Sequence, residues 1–326
     1  MKNKIALLTF CAVLLAFSFP AQAQQTGKGY RIGFLSGGFP GPTHWTSKIR
    51  GELQKLGYVE GKNIVIEARY TENRIDRLPA LATELVRLNP DVIVTGGQND
   101  ARAAKNATKI IPIVGLGLGD PVANGLVASL ARPGGNLTGF TVITDELWGK
   151  RLELIKETVP KLSRVGLLWN SGFPDSARAR KLYQVTAGAL RLQLHSMEVT
   201  RREQLEPAFK DAVRMECGAV AMTGGAFLAA NLKNIADLAV KYRLPAIADR
   251  DDFVDRGGLM SYGADDGEKF QRVAAFIDKI LKGAKPADIP VEQPSKFELV
   301  FNLKTAKAIG LNIPPDVLAR ATRIIR

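Results

Sequence analysis

Short apolar segments alternate with longer amphipathic segments along most of the chain. Strands are predicted at 30–36, 63–70, 91–95 and 111–115, and helices at 44–56, 77–88 and 101–108. The apolar triplet Val92-Ile93-Val94 is typical of a strand that is buried on both faces. Strands and helices that alternate in this way predict a parallel sheet with helices on both sides.

The second half of the chain repeats the pattern of the first half. Three segments match in the same order: 31–35 with 164–168, 92–97 with 220–225, and 111–114 with 244–247. Both copies also place a Gly-Phe-Pro tripeptide soon after the first matched segment, at 38–40 and at 172–174. These matches in register predict an α/β fold of two Rossmann-like lobes, each with a parallel sheet.

The duplicated topology also predicts where a ligand binds. Open α/β sheets bind ligands beyond the carboxyl ends of their strands, where loops lead into helix N-termini. Two lobes that face each other therefore place both sets of loops in one cleft. We expect a small solute to enter this cleft and to be buried by a hinge motion of the lobes.

The N-terminal residues indicate export. Two lysines precede an uncharged apolar run at 5–19, and the small residues Ala21 and Ala23 follow it. The run is shorter than the roughly 20 residues that a membrane-spanning helix needs, which makes a retained anchor the weaker alternative. We therefore expect a signal peptide over residues 1–23, cleavage after Ala23 and a mature protein in the periplasm.

Composition narrows the classes of partner. The formal net charge is +13, but the basic residues are dispersed and form no Lys/Arg tract. Export also removes nucleic acid as a partner, so the charge indicates either a solvated basic surface or attraction to an anionic membrane surface. Without the signal peptide Cys217 is the remaining cysteine, and the fold must be held by core burial rather than by an internal disulfide.

Four segments resemble the ABC transporter substrate-binding proteins that are related to tryptophan and tyrosine uptake. They are 56–63 (Leu-Gly-Tyr-Val-Glu-Gly-Lys-Asn), 120–122 (Asp-Pro-Val), 132–139 (Arg-Pro-Gly-Gly-Asn-Leu-Thr-Gly) and 302–307 (Asn-Leu-Lys-Thr-Ala-Lys). The likeness covers essentially the whole chain after the signal peptide, and the order and spacing of the segments make it specific. It implies the type I periplasmic binding-protein fold, and the better-understood members of the family bind aromatic amino acids.

The resemblance also implies the domain organisation and the partners. The chain is expected to cross between lobes three times, near Asp145, Tyr262 and Glu292. Lobe 1 then comprises 29–144 plus 263–291, and lobe 2 comprises 145–262 plus 292–326. The expected partners are a small-molecule ligand and an ABC permease in the cytoplasmic membrane, and the protein itself is expected to be a monomer.

Glycine-rich loops supply the candidate ligand contacts of lobe 1. Adjacent glycines let backbone N–H groups approach a ligand, and the helix N-terminus that follows favours an anion such as a carboxylate. The candidates are Ser36, Gly38 and Phe39 after the first strand, Gly97 and Gln98 after the third strand, and Asp120 after the fourth. The alternatives are plain strand-to-helix turns for the two loops, and a helix N-cap for Asp120, which precedes a proline.

The equivalent loops supply the candidates of lobe 2. They are Asn170, Ser171, Phe173, Gly225, Phe227, Asp249 and Arg250. The guanidinium of Arg250 could bind a carboxylate through two hydrogen bonds, or it could pair with one of the aspartates at 249, 251 and 252. Aromatic side chains near the predicted strand ends could stack on a flat apolar ligand: Phe39, Trp45, Trp169, Phe173 and Phe227. Trp169 could equally belong to the core.

One departure from the resembled family affects the expected ligand. Members that bind amino acids tend to carry an aspartate, suited to an ammonium group, in the loop that follows Thr223 of this chain. Here that loop reads Gly224-Gly225-Ala226, so an α-amino group would have to find Asp120 or Asp249 instead. We therefore expect a small organic acid, or another aromatic or amide-bearing solute, rather than an amino acid.

The sequence displays no recognisable catalytic constellation. The two histidines, His44 and His195, form no cluster with zinc-ligand spacing, and no sign of an activating base accompanies Cys217. The glycines at 115, 117 and 119 lack the spacing of a dinucleotide-binding loop. We expect no enzyme activity, no metal site and no cofactor. The alternatives are an exported α/β enzyme and a binding protein that serves a membrane receptor.

Overall fold

Two β-sheets organise the chain in a computed structural model that describes residues 29–38, 40, 45–72, 74–141 and 145–326. The first sheet contains β1 (Tyr30–Ser36), β2 (Ile64–Tyr70), β3 (Val92–Thr95), β4 (Ile113–Gly115) and β5 (Leu137–Gly139). Its strand order is β2-β1-β3-β4-β5, and all neighbouring strands are parallel. The predicted signal peptide, Phe39 and His44 lie outside the described residues.

The second sheet repeats this order and then extends it. It contains β6 (Arg164–Trp169), β7 (Gln193–Glu198), β8 (Ala219–Met222), β9 (Ala246–Ala248), β10 (Met260–Ala264), β11 (Phe297–Asn302) and β12 (Arg323–Ile325). Read from β7, the order is β7-β6-β8-β9-β10-β11-β12, so its first five positions reproduce the first sheet. The duplication predicted from the sequence is confirmed. The antiparallel pairing of β10 with β11 departs from an otherwise parallel sheet.

Helices cover both faces of each sheet, as continuous apolar strands require. They are α1 (Trp45–Lys55), α2 (Leu78–Arg87), α3 (Gln98–Ala107), α4 (Asp145–Thr158), α5 (Ser176–Ala189), α6 (Leu205–Arg214), α7 (Ala226–Ala230), α8 (Leu232–Lys241), α9 (Asp252–Asp255), α10 (Asp266–Leu281), α11 (Leu303–Ile309) and α12 (Pro315–Leu318). Short 3₁₀ turns occur at Ile75–Arg77, Arg202–Gln204 and Pro286–Asp288. Among the described residues, no helix combines the length and the apolar composition needed to cross a membrane.

Strand β1 shows how the alternation of side chains builds two cores in one lobe. Ile32 and Phe34 are fully buried on one face, in a cluster with Ile49 of α1. Leu35 is buried on the opposite face, in a cluster with Leu85 of α2. Since successive side chains of a strand point to opposite faces, a single apolar strand serves both clusters.

The chain returns to the first lobe after it has built most of the second. Strand β10 pairs within the second sheet, whereas α10 packs through Phe270 and Phe276 in the cluster that contains Phe34. Strand β11 then pairs again in the second sheet. The lobe boundaries proposed at 144/145, 262/263 and 291/292 stay a prediction at the level of single residues.

Two local predictions were wrong. Helix α3 begins at Gln98, three positions before the predicted start at 101, because Asp100 Oδ2 accepts a hydrogen bond from the backbone N–H of Gly97 at 3.1 Å and caps an earlier turn. Asp120 accepts from the backbone N–H of Ala123 at 3.0 Å, as an N-cap would. However, the segment after Asp120 is a hydrogen-bonded turn rather than a helix.

Candidate functional site

A cavity of about 440 Å³ lies between the facing carboxyl ends of the two sheets. Its walls come from the segments that follow β1, β3 and β4 in the first lobe and β6, β8, β9 and β10 in the second. This placement matches the general rule for open α/β sheets. The volume falls within the roughly 300–1,000 Å³ that is typical of small-molecule sites.

Most of the predicted ligand contacts line this cavity. They are Ser36, Gly38, Gly97, Gln98, Asn170, Phe173, Gly225, Phe227, Asp249 and Arg250. Among the described residues, Asp120 and Ser171 are not part of the lining. Phe39 lies outside the described residues. Contact of the lining residues with a ligand stays a prediction.

Asp120 contacts the other lobe instead of the cavity. Its Oδ2 atom accepts a hydrogen bond from Arg178 Nη1 of α5 at 2.8 Å, and Arg178 Nε also donates to Asp145 at 3.1 Å. The hydrogen bond from the backbone of Ala123 and the contact with Arg178 lower the pKa of Asp120, although partial burial opposes them. We refer to the Asp120–Arg178 pair as the interlobe salt bridge.

Two further hydrogen bonds cross the cleft. Asn99 Nδ2 donates to the carbonyl oxygen of Gly172 at 3.3 Å, and Asn124 Nδ2 donates to Asp175 Oδ1 at the same distance. The interlobe salt bridge and these two bonds hold the rims of the lobes in direct contact. The cavity therefore lies between two lobes that touch at their rims.

A glycine positions an aromatic wall in the first lobe. Ser36 Oγ accepts from the backbone N–H of Gly38 at 3.2 Å and lies 3.4 Å from Trp45 Nε1. A Cβ atom at Gly96 would lie only 2.5 Å from Trp45 Nε1, so the indole can occupy its place because residue 96 is glycine. The ring of Trp45 also contacts that of Phe34, with 5.3 Å between centroids.

A second glycine positions an aromatic wall in the other lobe. Gly225 has φ +117°, and a Cβ atom there would lie 3.0 Å from the Cβ of Phe173. The backbone conformation and the close approach of Phe173 both require glycine. The amide of the neighbouring Asn170 ties two loops together, since Nδ2 donates to Val199 O after β7 at 2.6 Å and Oδ1 accepts from Gly172 N within its own loop at 2.9 Å.

The charged side chains at the cavity wall are largely paired with acidic or basic groups of the protein. Arg250 Nε donates to Asp252 Oδ1 at 2.6 Å, which is one of the two alternatives predicted for this arginine. Asp266 pairs with Lys48 at 3.1 Å and with Lys269. Burial acts to raise the pKa of Asp266, but Lys269, Arg250 and Lys48 outweigh it and hold the pKa well below its usual range.

Two buried polar side chains that line the cavity have unused hydrogen-bonding atoms. Arg151 of α4 is 1 % exposed; its Nε donates to Tyr262 O at 2.8 Å, but Nη1 has no partner among the described residues. Gln98 is 5 % exposed, and in the same part of the chain neither its Nε2 nor its Oε1 has a partner. An unsatisfied buried polar group costs about 1–3 kcal/mol, so such groups call for a partner.

Sequence reasoning missed Arg151, although its position carried a signal. Arg151 follows Leu147 by four residues and Trp148 by three, and it precedes Ile155 by four. This spacing places an arginine on the apolar face of a helix. A charged residue in a buried stripe needs a compensating partner, and this was the available clue.

The remaining reactive groups lie outside the cavity lining. Trp169 belongs to the core, which is one of the two positions predicted for it, and its Nε1 donates to Ser196 Oγ at 2.8 Å. His195 Nε2 lies 2.7 Å from Asp211 Oδ2. Cys217 is buried, and burial raises the pKa of its thiol to about 11. Within the described ranges, no cluster of three potential metal ligands occurs.

Comparisons with known proteins agree with this architecture. The model of a family described as ABC transporter substrate binding protein matches residues 40–325. A tyrosine-binding protein of Clostridioides difficile (strain R20291) is 27 % identical over 259 residues, which cover 79 % of this chain and 74 % of that protein.

Two solved structures are also similar, and each is covered over 100 % of its length by 91 % of this chain. A conserved domain protein from Vibrio cholerae O1 biovar El Tor N16961 has a TM-score of 0.83 at 26 % identity. An ABC domain from Streptococcus pneumonia in complex with L-Trp has a TM-score of 0.82 at 25 % identity.

Proposed function

Because the chain belongs to the ABC transporter substrate-binding protein family, we propose that it captures a small organic solute between its lobes and delivers it to an ABC permease in the cytoplasmic membrane. The observation that carries this proposal is the cavity itself. It has the volume of a small-molecule site, and both lobes contribute to its walls. A site built from two halves couples ligand binding to closure of the lobes.

We propose an aromatic or carboxylate-bearing solute as the ligand. Aromatic side chains line the cavity from both lobes, among them Trp45, Trp148 and Phe173, and aromatic faces favour flat apolar groups. One relative is named for tyrosine, and one similar structure holds L-Trp, which supports a solute of this size and shape. The glycines at 224 and 225, where resembled amino-acid binders tend to carry an aspartate, favour a solute other than an amino acid.

We further propose that the protein is a periplasmic monomer without enzyme activity. The signal peptide predicted over residues 1–23 supports export, with cleavage after Ala23. The chemistry available at the cavity supports binding rather than catalysis. Cys217 is a buried thiol with a raised pKa, and His195 pairs with Asp211 away from the cavity lining.

A metabolite screen tests the proposed function. Protein freed of bound solute by unfolding and refolding is screened by thermal shift, and each hit is measured by isothermal titration calorimetry. We expect one solute class to bind at one site with micromolar or tighter affinity, without chemical change, and to compact the protein in small-angle X-ray scattering. Conversion of a bound solute to product would identify an enzyme instead, and failure of every solute to bind would reject the proposal.

A further inference from the structure

The cavity contains a buried cation that lacks a counter-ion. Arg151 is 1 % exposed and lines the cavity, yet no carboxylate among the described residues lies within 4.0 Å of its guanidinium nitrogens. The other cavity-lining cations, Arg250, Arg256 and Lys269, each have such a partner. Burial of an unpaired charge strongly destabilises a folded protein unless an opposite charge arrives from elsewhere.

The protein fixes the orientation of this guanidinium and leaves one of its nitrogens without a hydrogen-bond partner among the described residues. Nε of Arg151 donates to the carbonyl oxygen of Tyr262 at 2.8 Å. The hydroxyl of Tyr183, which donates to the carbonyl oxygen of Met222 at 3.0 Å, lies beside the same guanidinium. Nη1 remains without a partner within the described chain. A guanidinium that is held on one side and has an unpaired N–H group on the other is suited to bind a carboxylate oxygen.

An unpartnered amide lies on the opposite wall. Gln98 begins α3 in the first lobe and is 5 % exposed, and both polar atoms of its side chain lack a hydrogen-bond partner in the described structure. An amide offers both a donor and an acceptor, so its complement is a group that also does both, such as another amide. The two lobes therefore suit different groups of a ligand. Arg151 in the second lobe suits an anion, and Gln98 in the first lobe suits a neutral group that both donates and accepts hydrogen bonds.

We propose that Arg151 binds the carboxylate of the solute and that Gln98 binds a neutral group that both donates and accepts hydrogen bonds. This assignment rests on the proposed function, because it takes the cavity to be the solute site. The solute is then an organic acid with a second polar group. Closure of the lobes depends on both groups, because one contacts Arg151 in the second lobe and the other contacts Gln98 in the first. The buried arginine selects for the acid because a neutral analogue would leave its charge unpaired.

Matched probes test the assignment of the carboxylate. Calorimetry compares L-tyrosine, 3-(4-hydroxyphenyl)propanoate and N-acetyl-L-tyrosine, each with its own carboxamide, and adds every acid found in the metabolite screen with its carboxamide. Asp249 also lines the cavity, and its charge could attract an ammonium group or repel an acid. The probes therefore include acids with and without an ammonium group, so that this effect can be separated from that of Arg151. The acid should bind about 100-fold or more tightly than its carboxamide, as for loss of one partner of a buried charge pair. Equal binding of acid and amide would overturn the assignment.

Variants test the two residues directly. Arg151→Met should reduce affinity for the acid about 100-fold or more, and Arg151→Lys should recover part of it, because lysine restores the charge without the planar fork. Gln98→Leu should reduce affinity for N-acetyl-L-tyrosine, or for the acid from the screen, more than for 3-(4-hydroxyphenyl)propanoate. Arg164→Met is the control, since Arg164 bonds to Gln193 outside the cavity lining. Unchanged affinity in Arg151→Met would refute the proposal.

The melting temperature without solute separates a binding role from a structural one. If the charge of Arg151 is paired only when a ligand is bound, Arg151→Met removes an unpaired buried charge from the ligand-free protein. The melting temperature of this variant without solute should then lie within a few degrees of that of the wild type, or above it. A decrease of about 10 °C or more would indicate that Arg151 holds the fold, and would overturn the assignment. A screen that yields only neutral or cationic solutes would refute the carboxylate while leaving the proposed function intact.

Discussion

The interlobe salt bridge allows the closure of the cleft to be perturbed without touching the cavity. Asp120 lies in the first lobe and Arg178 in the second, and Asp120 does not line the cavity in the described structure. Replacement of Asp120 by asparagine removes the charge but keeps an oxygen that can accept from the backbone N–H of Ala123. We therefore expect Asp120→Asn to weaken closure while the turn after β4 is retained.

The expected magnitude follows from the exposure of the two side chains. Arg178 is 41 % exposed and Asp120 is 35 % exposed, which places the pair among partly solvated ion pairs. Such pairs contribute about 0.2–1 kcal/mol. Because the pair forms only between touching lobes, this free energy enters the equilibrium between open and closed states. Solute affinity should fall about 1.5- to 5-fold, and the free energy of unfolding should change by less than about 1 kcal/mol.

A double-mutant cycle of Asp120→Asn and Arg178→Met, measured by calorimetry, isolates the coupling between the two side chains. The coupling should shrink between about 0.1 M and 1 M salt, because the screening length falls from about 10 Å to about 3 Å. The same cycle on Lys233 and Asp237 is the control, since this pair lies within the single helix α8. Zero coupling at low salt, or an equal effect on unfolding and on binding, would refute a role in closure.

Three further predictions concern burial, charge and glycine geometry. Because Asp266 has a lowered pKa, its contribution to stability is present above about pH 4 and is lost as pH falls through the folded-state pKa. Asp266→Asn should therefore lower the free energy of unfolding in urea by about 2–4 kcal/mol at pH 7 and by less at pH 2. The control variant Asp237→Asn should not show this pH-dependent loss. Cys217 should resist a thiol reagent at pH 8 until denaturant is added, and fast reaction of the native protein would contradict its burial. Phe173→Ala should weaken solute binding by about 1–3 kcal/mol with a smaller loss of stability. Gly225→Ala should also weaken binding, because the new Cβ atom would displace the ring of Phe173. A loss of stability in Phe173→Ala as large as the loss of binding would assign this ring to the core.

The repeated sequence pattern predicted the fold well because parallel strands impose strong local demands. A strand such as β3, buried on both faces, must be almost entirely apolar, and the equivalent strand β8 of the second lobe obeys the same rule. The glycine loops were predictable for a similar reason, since backbone approach and positive φ restrict the choice of residue at Gly225. Local constraint therefore located most of the cavity wall.

The parts that sequence reasoning missed depend on contacts between distant segments. Asp120-Pro121 has the local features of a helix start, yet the partner that matters for Asp120 is Arg178, 58 positions further along the chain. The spacing of Arg151 marks it as an arginine on an apolar helix face, but only the structure shows that its unpaired Nη1 belongs to a residue that lines the cavity. Pairwise geometry of this kind is absent from a single sequence.

The return of α10 to the first lobe has a consequence for how the newly made chain behaves. Phe270 and Phe276 complete the core around Phe34, so synthesis must proceed well past the middle of the second lobe before that core can close. The second sheet is likewise incomplete until β11 and β12 have been synthesised. A nascent chain of this topology completes both cores late, and the export proposed above would benefit, because a chain with incomplete cores can still be threaded through a secretion channel.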